Sequence, residues 1–141
     1  MTKIIWVDDE INQAELRPDK EELKDLGCEI VELKSADEFI NFLSKPHDDT
    51  VYDAIIVDMM LPVGAELDIK DAGYGSRTGL LLIDKVRKNM LYGNVKLIVY
   101  SIVDDVEIAE KCGKEGVLYL KKTQLLSHEF ANRVMEWIAA S

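Results

Sequence analysis

Short runs of apolar residues recur five times along the chain, and each run has the length of a β-strand. The first, third and fourth runs are nearly continuous isoleucine, valine and leucine, which favours parallel strands covered on both faces over half-exposed antiparallel strands. The five runs are Lys3–Val7, Glu29–Leu33, Ala54–Val57, Lys96–Tyr100 and Val117–Leu120.

Segments with apolar residues at helical spacing follow the strands. The first has Pro18 at an early helical position and stops before Gly27, although a start at Ile11 with a kink at Pro18 is an alternative. The next opens with a capping-box pattern from Ser35 to Glu38. The predicted helices are Arg17–Leu26, the segment from Ser35 through Leu43, Gly79–Asn89, Asp104–Cys112 and Ser127–Ala140. Five strands alternating with five helices predict one α/β domain over residues 1–141, with right-handed crossovers.

One connection is much longer than the others. Val63–Thr78 separates the third strand from the third helix with 16 residues, three of them glycine, and no clear period. Loops of this length are uncommon in compact domains and are usually functional or disordered. A lid, a docking element for a partner and a mobile insertion are all consistent with the sequence.

Composition narrows the classes of function. The chain has 141 residues, of which 48% are hydrophobic and 31% charged, as in an ordinary globular domain. Its net charge of −10 argues against a nucleic-acid surface, which needs concentrated lysine and arginine.

No apolar run reaches the roughly 18 residues of a membrane helix. No signal peptide is expected, because the first apolar run ends at once in acidic residues. Cys28 and Cys112 lack CxxC spacing and are expected to be reduced, and we expect a cytoplasmic protein.

Polar side chains stand directly after four of the apolar runs. In run order these are Asp8, Asp9 and Glu10, then Asp58, then Ser101, and finally Lys121 and Lys122. Parallel α/β sheets bind ligands outside the carboxyl ends of their strands, so these side chains are predicted to meet at one edge. Each of them alone is more often a cap, a turn residue or a surface charge, and Glu10 is expected to be only a solvated neighbour. Their joint placement is what indicates a site.

The chemistry of this set points to phosphoryl transfer. Clustered carboxylates raise each other's pKa unless a cation neutralises them, and oxygen ligands without histidine or cysteine favour Mg²⁺. An aspartate beside Mg²⁺ can attack a phosphoryl group and form an aspartyl phosphate. A lysine ammonium and a serine hydroxyl would provide further partners for the phosphoryl oxygens.

Four motifs, in order across essentially the whole chain, resemble the signature motifs of response-regulator receiver domains. They are Val7-Asp8-Asp9-Glu10, Asp58-Met59-Met60-Leu61-Pro62, Val99-Tyr100-Ser101 and Tyr119-Leu120-Lys121-Lys122. The resemblance implies a flavodoxin-like fold with strand order 2-1-3-4-5, an aspartate phosphoacceptor and bound Mg²⁺.

The resemblance also assigns roles by position. Asp58 would be the phosphoacceptor, and Asp9 and Asp58 would contact Mg²⁺ directly. Asp8 would help through water, and the carbonyl of Met60 would complete the protein ligands. Ser101 would bond the phosphoryl group and move toward it on activation.

The family's switch aromatic lies three residues before its catalytic lysine. Tyr119 therefore selects Lys122, whereas Lys121 would place Leu118 at the switch position. A plain core role for Tyr119 is the alternative.

Three features depart from the family pattern. Thr123 stands where a proline commonly follows the lysine, often after a cis bond. Ile102 replaces a small residue and is predicted to narrow the access of water to the phosphoryl group. The Val63–Thr78 segment is longer than the family's usual connection and begins close to the Asp58 motif.

The leading expectation is a signalling switch that takes phosphate from a histidine kinase or a histidine phosphotransfer protein. It would not be an enzyme beyond its own phosphorylation and dephosphorylation. Output would pass through a protein partner, either from a stand-alone domain or from a domain excised from a longer chain, and a phosphorylation-linked dimer is left open.

The alternative is a pseudo-receiver that binds proteins independently of phosphorylation. A phosphohydrolase of the haloacid dehalogenase type is disfavoured, because Asp8-Asp9-Glu10 lacks the DxD spacing and no cap domain of adequate size is present.

Overall fold

The predicted strands form one parallel sheet. The computed structural model describes residues 1–45, 50–89, 92 and 94–140, and its five strands lie in the order β2-β1-β3-β4-β5. The strands are β1 Thr2–Val7, β2 Cys28–Leu33, β3 Ala54–Val57, β4 Lys96–Ser101 and β5 Val117–Lys121. This is the flavodoxin-like order predicted above, and it reverses between β1 and β3, the switch point beside which such sheets bind ligands.

Within the described ranges five helices cover the sheet, and they decide the start of the first helix and correct that of the fourth. They are α1 Arg17–Asp25, α2 Ala36–Ser44, α3 Thr78–Lys88, α4 Val106–Lys114 and α5 Ser127–Ala139. Residues 11–16 form turns, so the earlier start of α1 at Ile11 is wrong and Pro18 sits in the first turn. The start of α4 at Asp104 is also wrong, because Asp105 caps that helix by accepting the N–H of Ile108 at 3.2 Å.

The predicted capping box of α2 is half formed. The hydroxyl of Ser35 accepts the N–H of Glu38 at 3.0 Å, as a capping residue should. The carboxylate of Glu38 turns to the N–H of Lys34 at 2.5 Å and not to that of Ser35. The reciprocal bond of the capping box is therefore made one residue earlier than the motif predicts.

Apolar side chains fill a layer on each face of the sheet, as expected for strands buried on both sides. On one face, Ile5, Val7, Ile55 and Val57 pack with Phe39 of α2, Val86 of α3 and Ile108 of α4. On the other face, Ile4, Trp6, Ile56 and Tyr100 pack with Leu23 of α1 and with Phe130 and Val134 of α5. The alternation along each strand thus divides the helices between the two faces.

Both cysteines lie in this core. Cys28 and Cys112 are free and buried, and they belong to the clusters on opposite faces of the sheet. Burial raises the pKa of the Cys28 thiol and raises that of Cys112 to about 11. Both side chains therefore act as small apolar groups, as the sequence predicted.

A buried polar contact joins α1 to β4. The hydroxyl of Tyr100 donates to the carboxylate of Asp19 at 2.8 Å, and both side chains are almost completely buried. Burial is the first cause of an upward shift in the pKa of Tyr100, and the Asp19 carboxylate adds to it. The tyrosine thus stays a donor, and it satisfies a carboxylate that would be costly to bury alone.

The long connection between β3 and α3 has turns and a single 3₁₀ turn at Gly73–Gly75. Near its start, the carboxylate of Asp37 on α2 accepts the backbone N–H groups of Ala65 and Glu66 at 3.0–3.1 Å. At its other end, Tyr74 has φ of +56° and a mostly exposed ring.

None of the helices in the described ranges is long and apolar enough to cross a membrane.

Candidate functional site

The carboxyl ends of four strands bring the predicted polar side chains to one edge of the sheet. Val7 and Val57 pair at the ends of β1 and β3, so Asp8 and Asp58 leave the sheet side by side. The N–H of Asp58 donates to the carbonyl of Val7 at 3.1 Å, which holds the two chain segments together beyond the strands. The convergence predicted from the order of the elements is therefore present in the structure.

Three carboxylates form an acidic cluster at this edge. Asp8, Asp9 and Asp58 each offer an oxygen, and these oxygens all lie within 4.8 Å of one another. Asp8 is completely buried and Asp58 nearly so, whereas Asp9 is exposed. Backbone donors orient the two buried groups, because Asp8 accepts the N–H of Glu10 at 2.9 Å and Asp58 that of Met60 at 3.3 Å. Glu10 itself is exposed, as expected for a solvated neighbour.

The ammonium of Lys122 lies between the two buried carboxylates. Its Nζ atom is 2.7 Å from Oδ2 of Asp8, as an ion pair without hydrogen-bond geometry, and it donates to Oδ2 of Asp58 at 3.4 Å. Burial raises the pKa of Asp8 to about 6, although Lys122 partly offsets this shift. Burial would lower the pKa of Lys122, but the carboxylates of Asp58 and Asp8 outweigh it and raise the pKa.

The neighbouring Lys121 turns away from the cluster. Its ammonium pairs with the exposed carboxylate of Asp104 at 2.5 Å. Adjacent residues at the end of a strand point to opposite sides, so only one of the two lysines can reach the carboxylates. The structure thus brings Lys122, and not Lys121, to Asp58.

Ser101 and Tyr119 are linked through the peptide groups of Val103. Ser101 is completely buried as the last residue of β4, and its hydroxyl accepts the N–H of Val103 at 3.4 Å. The hydroxyl of Tyr119 donates to the carbonyl of the same Val103. Tyr119 is partly buried against the core, and this burial raises the pKa of its hydroxyl to about 12. Tyr119 therefore combines core packing with a polar tie to the β4–α4 loop.

Comparison with known proteins identifies the architecture. No protein-family model matches the sequence, and no curated protein is detectably similar to it. Solved structures do match it. A response-regulator receiver domain protein from Methanospirillum hungatei has 19% identity and a TM-score of 0.70, covering 98% of this chain and 94% of that chain. The non-phosphorylated receiver domain of HemR from Leptospira biflexa has 16% identity and a TM-score of 0.73, covering 100% and 97%. A chemotaxis response regulator of Vibrio cholerae has 19% identity and a TM-score of 0.69, covering 98% of each chain.

This chain has the receiver-domain fold. The likeness extends over nearly the whole of each of the three solved structures named above. At such low identities the likeness establishes the fold, and the chemistry has to be argued from the residues of the site.

The acidic cluster suits the Mg²⁺ ion that the receiver fold implies. Its ligand atoms are all carboxylate oxygens, the donors that a hard cation prefers. The ionised cluster holds three carboxylates against the single ammonium of Lys122, so its charge favours a divalent cation. The burial of Asp8 strengthens this preference, since a buried carboxylate gains more from a nearby cation than an exposed one.

Two departures from the receiver pattern can be located in the structure. No peptide bond in the described residues is cis, so the bond before Thr123 is trans. Ile102 follows Ser101, and 62% of the Ile102 surface is exposed. The side chain of Met60, two residues after Asp58, is about half exposed. The predicted effect of Ile102 on the access of water stays a prediction.

Sequence patterns missed two residues that touch the Asp58 loop. Thr78 was assigned to the long connection but belongs to the first turn of α3, whereas Gly79 lies in that turn as predicted and only its contact was missed. The N–H of Gly79 donates to the carbonyl of Met59 at 3.0 Å, and the hydroxyl of Thr78 donates to the carbonyl of Leu61 at 2.6 Å. A glycine at the start of an apolar helical stripe was the available signal, because glycine is a poor helix former and its missing Cβ permits a close backbone approach.

Proposed function

We propose that this chain is a phosphorylation switch in which Asp58 accepts a phosphoryl group from a phosphohistidine donor in a Mg²⁺-dependent reaction. The observation that carries the proposal is the position of Asp58. Its carboxylate lies within reach of two further aspartates and of the buried ammonium of Lys122, at the ligand-binding edge of a receiver fold. Titratable groups that are buried together with specific charge partners are candidates for a functional site.

Asp58 is held ready to act as the nucleophile. Its Oδ1 atom accepts the N–H of Met60, and its Oδ2 atom accepts from Lys122, so both oxygens are oriented. In the proposed reaction a carboxylate oxygen attacks phosphorus, and the bond between phosphorus and the imidazole nitrogen of the donor breaks. The nitrogen keeps the electron pair, and the product is an aspartyl phosphate.

The surrounding residues would stabilise the charge on the phosphoryl oxygens. Asp8, Asp9, Asp58 and the carbonyl of Met60 would hold Mg²⁺, which would neutralise the phosphoryl group as it approaches the carboxylates. Lys122 lies close enough to Asp58 to contact a phosphoryl oxygen through its ammonium. The hydroxyl of Ser101 would donate to another oxygen.

Phosphorylation would then be read out through the β4–α4 loop. We infer that Ser101 turns its hydroxyl to the phosphoryl group and gives up its contact with the N–H of Val103. Because Tyr119 is tied to the carbonyl of Val103, a shift of this loop would move the tyrosine as well. Phosphorylation would thereby shift an existing equilibrium between two conformations.

The proposed partners follow from this scheme. The donor would be a histidine kinase or a histidine phosphotransfer protein, and the output would be a protein that binds the surface formed near α4, β5 and α5. The chain would have no catalytic turnover on other substrates beyond its own phosphorylation and dephosphorylation.

The first experiment is to incubate the protein with Mg²⁺ and acetyl phosphate and to measure its intact mass. Wild type is expected to gain the mass of one phosphoryl group, and Asp58→Asn is expected to gain none. Asp104→Asn is the matched control, because Asp104 is an exposed aspartate that pairs with Lys121 outside the cluster. It should be phosphorylated like wild type.

The result that would reject the proposal is equally defined. If wild type gains no phosphoryl group from acetyl phosphate or from a panel of histidine kinases, phosphorylation is not its function. That outcome would support the pseudo-receiver, an interaction module that acts without phosphate. An adduct that persists in Asp58→Asn would place the phosphoryl group on another residue.

A further inference from the structure

The loop after Asp58 is held at two backbone carbonyls by the first turn of α3. The carbonyl of Met59 accepts the N–H of Gly79 at 3.0 Å, and the carbonyl of Leu61 accepts the hydroxyl of Thr78 at 2.6 Å. Met60 lies between these two anchored peptides. In the part of the chain that the structure describes, no hydrogen-bond donor contacts the carbonyl of Met60.

The anchor at Leu61 depends on one side-chain hydroxyl. Thr78 is completely buried, and so is Leu61, so no water replaces the bond if the hydroxyl is removed. The hydroxyl also lies 3.3 Å from the carbonyl of Gly75, but its single hydrogen favours the shorter contact with Leu61. The Gly79 anchor uses a backbone N–H, so of these two anchors from α3 only that of Thr78 can be removed by changing a side chain.

We propose that Thr78 is a positioning residue for the Mg²⁺ site. By holding the carbonyl of Leu61, in the peptide next after the one that contains the Met60 carbonyl, its hydroxyl restricts the Met60 carbonyl to a narrow range of orientations and so lowers the cost of using it as a metal ligand. This inference rests on the proposed function, in which that carbonyl binds Mg²⁺ beside Asp58. Groups that orient metal ligands without touching the metal commonly affect affinity strongly.

The test is a calorimetric titration of the full chain with Mg²⁺ alone, in the absence of any phosphoryl donor. Thr78→Val keeps the shape of the side chain and removes the hydroxyl, and we expect it to raise the Kd for Mg²⁺ by about tenfold. Thr78→Ser keeps the hydroxyl and should bind nearly as tightly as wild type. When Mg²⁺ is then raised to saturation, Thr78→Val should recover much of the wild-type rate of phosphorylation by acetyl phosphate.

Loss of stability needs its own control. Val86→Ala removes buried apolar atoms from the same helix, about two helical turns beyond Gly79. It should lower the free energy of unfolding, measured by urea denaturation, and leave the Kd for Mg²⁺ unchanged. Should Thr78→Val fail to fold, Thr78→Ala lacks the same hydroxyl with a smaller side chain and takes its place in the titration.

The outcomes separate this inference from the proposed function. A weaker Kd in Thr78→Val, with Thr78→Ser and Val86→Ala like wild type, supports the positioning role. An unchanged Kd in Thr78→Val overturns that role and leaves the proposed function standing, and an equal loss in Val86→Ala overturns it as well. If wild type binds no Mg²⁺, the metal dependence of the proposed function fails, and the inference fails with it.

Discussion

Gly79 is the residue at which a single methyl group would test the packing of the site. A Cβ atom added there would lie 2.6 Å from the carbonyl oxygen of Asp58 and 2.8 Å from Cα of Met59. Both atoms are backbone, so no side-chain rotation relieves the contact. We therefore predict that Gly79→Ala is destabilised and slow to be phosphorylated, even though alanine is the better helix former.

The size of the effect follows from two opposing contributions. Replacing a helical glycine by alanine gains at most ~1 kcal/mol of helix propensity, and less in the first turn. Forcing a methyl group into a packed region costs ~1–3 kcal/mol. We expect a net loss of about 1–2 kcal/mol in the free energy of unfolding.

The rate of phosphorylation should change more than the stability. The added Cβ atom at residue 79 would lie 2.6 Å from the carbonyl oxygen of Asp58, and this distance must grow to an ordinary contact of at least 3.4 Å, which displaces the backbone of Asp58. A displacement of about 1 Å at a reacting group can cost on the order of 100-fold in rate. We expect Gly79→Ala to react with acetyl phosphate between tenfold and about 100-fold more slowly than wild type at saturating Mg²⁺.

The assay pairs urea denaturation, followed by circular dichroism, with intact-mass measurement of phosphorylation. Gly113 in α4 provides the matched control, because a Cβ atom there has nothing within 4 Å. Gly113→Ala should raise the free energy of unfolding by about 0.5 kcal/mol and leave phosphorylation unchanged. If Gly79→Ala is as stable as wild type and reacts at the same rate, the close approach of α3 to Asp58 does not matter and the reasoning is wrong.

Three further predictions concern single side chains. Tyr100→Phe removes the donor to the buried carboxylate of Asp19 and should lower the free energy of unfolding by about 1–3 kcal/mol, measured with urea; a change near zero would mean that Asp19 finds another donor. Ile102→Ala should lose its phosphoryl group several-fold faster than wild type after the donor is removed, and equal or slower decay would show that Ile102 does not shield it. Since burial raises the pKa of both thiols, Cys28 and Cys112 should react with a disulfide reagent at mildly alkaline pH only after urea unfolds the chain; rapid labelling of the native protein would contradict this.

The sequence alone determined the order of the elements and the edge at which the polar residues gather. β3 has the predicted bounds Ala54–Val57, because four consecutive apolar residues between two aspartates leave little choice of where the strand begins and ends. The placement of Asp8, Asp58 and Ser101 at the carboxyl ends of β1, β3 and β4 followed from the same pattern. Parallel strands deliver the residues at their carboxyl ends to one side, whatever the details of packing.

Sequence patterns were weaker where local signals competed. Pro18 is compatible with the first turn of a helix and with a kink inside a longer helix. Residues 11–16 form turns and not a helix, so Pro18 lies in the first turn of α1. Asp104 and Asp105 are equally good caps, and only the contact with Ile108 shows that Asp105 is the one used. Such choices differ by too little local free energy for spacing alone to separate them.

Only the tertiary structure decided which side chain of α3 holds the loop after Asp58. The motif spacing selected Lys122, and its ammonium does reach Asp8 and Asp58, whereas no pattern predicted that the hydroxyl of Thr78 reaches Leu61, 17 residues away in the chain. The Thr78 contact depends on where α3 docks against the end of β3, and that docking is set by the apolar side chains on the rest of the helix. The packing of a whole helix therefore fixes the polar contacts at its first turn, and no short motif contains that information.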